Sequence, residues 1–90
     1  MAARNFEWDD AKAAINYAKH KISFEAAAAV FDDPEVVTAT RKRDGEERFR
    51  AIGAIDGRVF TVVYTMRAAR MRLISARRSN RREEGAYGAG

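Results

Sequence analysis

The stretch "RVFTVVYTMRAARMRLISARR", residues 58–78, decides the fold. It holds two runs rich in β-branched and aromatic residues, "RVFTVVYTMR" and "RMRLISAR", joined at "AAR". Two such runs around so short a connection pair as antiparallel strands. Strict alternation puts Val63, Thr65 and Arg67 on one face and Val62, Tyr64 and Met66 on the other. In the second strand it groups Met71, Leu73, Ser75 and Arg77, with Arg72, Ile74 and Ala76 opposite. One face of the hairpin then displays Thr65, Arg67, Ser75 and Arg77, if the register aligns them. Hydroxyls and guanidinium forks on a rigid sheet make a phosphate cradle. Strand-end arginines that snorkel into water and keep edges soluble account for the same pattern.

Upstream, "EVVTATRKR" is β-rich, "DGE" at residues 44–46 is a turn, and "RFRAIGAI" sets Phe49, Ala51, Gly53 and Ile55 on one face. Asp56-Gly57 is a hairpin turn, because both residues tolerate positive φ. Before this meander the period changes. "RNFEW" (Arg4 to Trp8) reads as a short strand, and Asp9 caps a helix that runs to about His20. Ala11, Ala14, Ile15 and Ala18 fall at i, i+3, i+4, i+7, which predicts the buried stripe. Lys12, Asn16, Lys19 and His20 form a polar patch on the other side. Ser23 caps a second helix, with Glu25 near its positive end and Phe24, Ala27, Ala28 and Phe31 at the same spacing. Pro34 ends it. "SNRREEGAY" starts a last helix capped by Ser79, with a fraying end in "GAYGAG". The expected class is α+β, in the order β-α-α-β-β-β-β-α. It has an antiparallel sheet of four to five strands, two N-terminal helices and a short C-terminal helix.

Ninety residues make one domain, 1–90, which buries about two-thirds of its unfolded surface. With 47% apolar and 33% charged residues the chain is globular. It has no cysteine, so disulfides and thiolate metal sites are excluded. It has no run of about 20 apolar residues to span a membrane. "MAARNFEWDD" lacks the apolar core of a signal peptide. Charge is segregated. Residues 1–40 carry four Lys/Arg against seven acids, and residues 41–82 carry thirteen against four, twelve of them arginine. A basic half rich in guanidinium forks expects an anionic partner, either nucleic acid or an acidic protein.

Chemistry-bearing residues are few. One histidine and no cysteine offer no metal-ligand cluster, and Asp32, Asp33 and Glu35 are explained by capping and the Pro34 turn. No GxGxxG, P-loop or nucleophile elbow is present, so no cofactor is expected. RNA cleavage without a metal needs the 2′-hydroxyl deprotonated, the phosphorane charge stabilised and the leaving 5′-oxygen protonated. Histidine is the side-chain type that exchanges protons near neutrality, and arginine or lysine stabilises charge. Lys19-His20 beside an arginine-rich sheet fits that need, while a plain helix-ending role for His20 fits as well. Trp8 is either core or a base-stacking platform. Tyr64, opposite Arg67 in parity, is placed under a helix. Cross-strand pairing accounts for Glu46, Glu47 and Arg48.

The blocks "FEWDDAKAAINYAKHKISFEAAAAVFDDP", "GEERFRAIGAIDGRVFTVVYTMR" and "RLISARRSNRREEGAY" together resemble the BrnT-type toxins of type II toxin–antitoxin systems, from about Phe6 to Tyr87. Lys21 departs from the pattern, since the family has glycine after K-H. The resemblance implies a RelE-like fold and a cytoplasmic, metal-independent endoribonuclease that halts translation. It implies a cognate BrnA-like antitoxin that neutralises the toxin, forms a heterotetramer with it and binds operator DNA through the antitoxin's own domain. It nominates Thr65 and Arg67 from Y-T-x-R and Arg77 from I-S-A-R as catalytic with His20. Trp8 and Lys19, with Arg72 and Ser75, are nominated for RNA contact. A non-catalytic nucleic-acid- or partner-binding module, including a degenerate toxin acting as co-repressor, uses the same charge pattern.

Overall fold

The computed structural model describes residues 5–89; Arg4 and Gly90 lie outside them. The order is β1 (Phe6–Glu7), α1 (Asp10–His20), α2 (Phe24–Ala27, passing into a 3-10 turn at Ala28–Asp32), β2 (Val37–Arg43), β3 (Glu46–Ile55), β4 (Arg58–Arg67), β5 (Arg70–Arg78) and α3 (Arg81–Ala89). The strands form one sheet in the order β1-β5-β4-β3-β2. The class is α+β as expected, but the sheet is mixed. β2 to β5 are antiparallel, whereas β1 runs parallel to β5, pairing Phe6 with Met71 and Glu7 with Arg72. The whole of α1 and α2 separates β1 from the meander, and a connection of that length can return a strand in parallel.

Several local expectations hold. The Asp9 carboxylate accepts from the Ala11 and Lys12 amides, and the Ser23 hydroxyl accepts from Ala26. Asp33, before Pro34, is extended and ends the second helix. Lys21 ends α1 in the left-handed region, with φ of 60°, which explains why glycine suits this position. The last helix differs in its cap. Asn80, not Ser79, accepts from the Glu83 amide, and Glu83 accepts in return from the Asn80 amide. That reciprocal pair is a capping box, which a serine one residue earlier cannot make. The Ser79 hydroxyl instead lies 2.7 Å from that of Thr61. The helix runs on through Gly85 and Gly88 to Ala89. Tyr87 is tied by its hydroxyl to the Asp33 carboxylate, which also accepts from the Ala54 and Glu35 amides.

The core lies between one sheet face and α2 with its 3-10 extension. Phe24, Ala27, Val30 and Phe31 meet Ala51, Val62, Tyr64 and Leu73, all buried. Phe31 and Tyr64 pack edge to face at 5.2 Å, and Phe49 stacks on Tyr64 at 5.3 Å. Gly53 lets this layer close. A Cβ there would sit 2.8 Å from the Val30 carbonyl oxygen, which is backbone and cannot swing aside. Gly53→Ala is therefore expected to cost about 1–3 kcal/mol, read as a lower urea midpoint at unchanged slope.

The sequence misplaces two features that shape the site. The first is β5. Val63 pairs with Ser75 but Tyr64 pairs with Leu73, so Ile74 is an extra residue, a β-bulge. The bulge reverses the alternation of residues before it. Leu73 therefore joins Ala76 in the core, and Arg72 joins Thr65, Ser75 and Arg77 on the open face. Uninterrupted alternation cannot bury residues 73 and 76 together. The second is α1. Its expected apolar stripe is outermost: Ala11, Ala14 and Ala18 are exposed and Ile15 is 67% exposed, while Asn16 is 6% exposed. The Asn16 carboxamide accepts from the Ala76 amide at 3.1 Å and donates to its carbonyl at 2.9 Å. Among the described residues, the outer edge of β5 has no strand partner beyond the two residues of β1, and Asn16 satisfies it at Ala76. Alanines have little apolar area to bury, so this polar need sets the rotation of the helix.

Candidate active site

Anchoring α1 on the β5 edge opens a cavity of about 440 Å³ between them, lined by Lys12, Ile15, Asn16, Lys19, His20, Ile74, Ser75 and Arg77. A second cavity, of about 320 Å³, lies on the open sheet face against Arg41, Arg48, Phe49, Arg50, Val63 and the same Ile74, Ser75 and Arg77. The two share those three residues of β5, so they form one groove with Arg77 at the junction. Ser75 and Arg77, just past the bulge, face this groove. Helix α1 brings Lys19 and His20 to one arm, and β2 and β3 bring Arg41, Arg48 and Arg50 to the other.

Arg77 is held by α3, on the same face of the sheet. Its two terminal nitrogens donate to the two oxygens of Glu83 at 2.7 and 2.8 Å, a bidentate fork. Arg50 donates to the same carboxylate at 3.2 Å. Glu83 is 3% exposed. The hydrogen bonds from Arg77, aided by the Asn80 amide, hold its carboxyl down at about 2 from an ordinary 4.5, against the opposing effect of burial. The folded value is depressed, so this stabilisation is complete above the ordinary glutamate range and is lost as pH falls through about 2.

The other nominated residues divide. Ser75, Lys19, His20 and Arg77 come together. Arg67 shares the open face with Arg77 but not the groove. Arg77 pairs with Thr61 and Arg67 with Arg70, a separation of roughly 20 Å along β4. Arg67 and Thr65 line a different cavity, with Gly45, Glu46 and Glu47 at the β2–β3 turn. Thr65 is 7% exposed and its hydroxyl donates to the Glu47 carbonyl. Arg72 faces the open side but pairs with Glu7 at 3.0 Å. Trp8 packs edge-on against Phe24 at 5.8 Å, so it belongs to the core margin. Tyr64 lies under the helices, and burial pushes its phenol up. Among the described residues, no three or more His, Cys, Asp or Glu side chains gather as a metal site. No helix among them is long and apolar enough to cross a membrane.

Glu83, Arg41, Arg48, Arg50 and Lys12 were missed as site residues. The N-x-x-E spacing of Asn80 and Glu83 was a visible capping signal. Nothing in the sequence showed that the same carboxylate faces Arg77.

A family model described as "Ribonuclease toxin, BrnT, of type II toxin-antitoxin system" matches residues 8–83. No curated protein matches the chain.

Proposed function

Since the chain belongs to the BrnT family of ribonuclease toxins of type II toxin–antitoxin systems, we propose that the groove centred on Arg77 is a metal-independent endoribonuclease site. The observation that supports it best is the meeting of Arg77 with His20 and Lys19 in one cavity. The substrate 2′-hydroxyl attacks the neighbouring phosphorus while the bond to the 5′-oxygen breaks. The products are a 2′,3′-cyclic phosphate and a 5′-hydroxyl. Arg77 stabilises the charge on the phosphorane, and His20 exchanges protons with the reacting oxygens. Lys19, with Arg41 and Arg48 on the other arm, holds flanking phosphates, Arg50 stands beside Arg77 at the reacting one, and Ser75 offers a hydroxyl between the arms. Arg67 lies outside the groove and acts as steering charge.

This activity, in a RelE-like toxin of the cytoplasm, halts translation by destroying RNA. A cognate antitoxin of BrnA type neutralises it, forms a heterotetramer and carries the contact with operator DNA. The test is incubation of the purified chain with RNA in excess EDTA. Cleavage is expected, and His20→Ala should reduce it by about 10²–10⁴-fold with the fold intact. Salt-sensitive binding of RNA that stays whole would instead mark a non-catalytic module or a degenerate toxin kept as co-repressor.

A further inference from the structure

We infer that Glu83 is a positioning residue for the ribonuclease reaction, a carboxylate set on the open face between Arg77 and Arg50 that aims both together at one phosphate. This rests on the reading of the groove given above. Arg50 is on β3 and Arg77 on β5, with β4 between them, so their backbones are roughly 10 Å apart. A single carboxylate on α3 reaches both guanidinium groups.

Glu83 itself is not available to the substrate. One oxygen accepts from Arg77 and the Asn80 amide, and the other from Arg77 and Arg50. It is almost wholly buried. A carboxylate so occupied and so reluctant to take a proton is a poor general base. Arg77 keeps spare capacity. Of five N–H donors on a guanidinium, two go to Glu83 and a third lies 3.4 Å from the Arg78 carbonyl. The remaining donors can face the groove, and the fork on Glu83 fixes the plane in which they point. A flexible arginine would have to order itself during the reaction, whereas this one is ordered beforehand.

Two variants separate this role from simple support of α3. Glu83→Gln keeps a side chain able to close the capping box but removes the charge and one acceptor. Asn80→Ala weakens the start of the helix and leaves the fork in place. We expect Glu83→Gln to lower kcat for a short RNA by about 10–100-fold with KM changed much less. Asn80→Ala is expected to keep kcat close to that of the parent while losing thermal stability. Equal losses of kcat in both variants would show a merely structural role and overturn the inference. Cleavage by Glu83→Gln as fast as the parent, or faster, would overturn it too, showing a carboxylate that competes with phosphate. A second readout does not depend on turnover. The side-chain N–H signals of Arg77, observed by NMR with a 2′-O-methyl RNA bound, should be ordered in the parent and averaged in Glu83→Gln. If the parent cleaves no RNA, the ribonuclease reading fails by itself. The Arg77 signals still decide the positioning role, and equal order in both proteins would refute it.

Discussion

Arg77→Lys is expected to lower kcat for RNA cleavage by about 10²–10³-fold, or about 2.7–4 kcal/mol in the barrier, while the protein stays folded. Lysine is the informative substitution. It can still place a positive charge against Glu83, so the buried carboxylate is not stranded. It cannot make a planar fork that grips Glu83 and presents further donors to a phosphate. Arg77→Ala is a poorer test, because removing one partner of a buried ion pair costs about 3–5 kcal/mol and would confuse unfolding with lost chemistry. Arg67→Ala is the control, with cleavage expected to fall only as far as salt-dependent steering contributes. Activity of Arg77→Lys equal to the parent's would move the reacting phosphate away from the junction of the two cavities. Full loss in Arg67→Ala would move it to the β2–β3 turn.

The second large effect is expected at Asn16. Replacing it with alanine leaves the Ala76 amide and carbonyl without their partners in a buried setting. The expected loss is about 2–4 kcal/mol of stability, a large share of the roughly 5–13 kcal/mol available to a domain of this size. Thermal unfolding should shift down by about 10–25 °C. Cleavage measured well below the new midpoint should fall as well, since Asn16 holds the helix of Lys19 and His20 against the strand of Ser75 and Arg77. A stable Asn16→Ala protein with normal turnover would show that α1 needs no such anchor.

These two residues illustrate what was legible. The strands, the turns and the caps at Asp9 and Ser23 follow from local chemistry, and local chemistry is what a short window of sequence contains. The basic character of the second half was likewise plain from composition. Helix α1 misled because its periodic alanines and Ile15 looked like a core stripe, while the deciding demand came from the edge of β5, far along the chain. Residues 71–78 misled for a related reason. A bulge removes the parity that alternation assumes, and only the simultaneous burial of Leu73 and Ala76 betrays it. Of the candidate groove, the sequence singled out His20, Lys19, Ser75 and Arg77, but not that they line one cavity. Arg67 and Arg77 looked equivalent because parity reports a face and says nothing of position along it. Glu83 was hidden because one side chain closes a helix cap and an ion pair at once.

The bond between Asn16 and Ala76 spans sixty positions of chain. Closing so long a loop is entropically unfavourable until the meander between them has formed. The groove therefore has no local precursor. No fragment holding α1 alone, or the last hairpin alone, contains both arms. Catalytic competence should consequently appear in a single cooperative step with the native state and disappear with it, so that turnover itself reports the folded fraction.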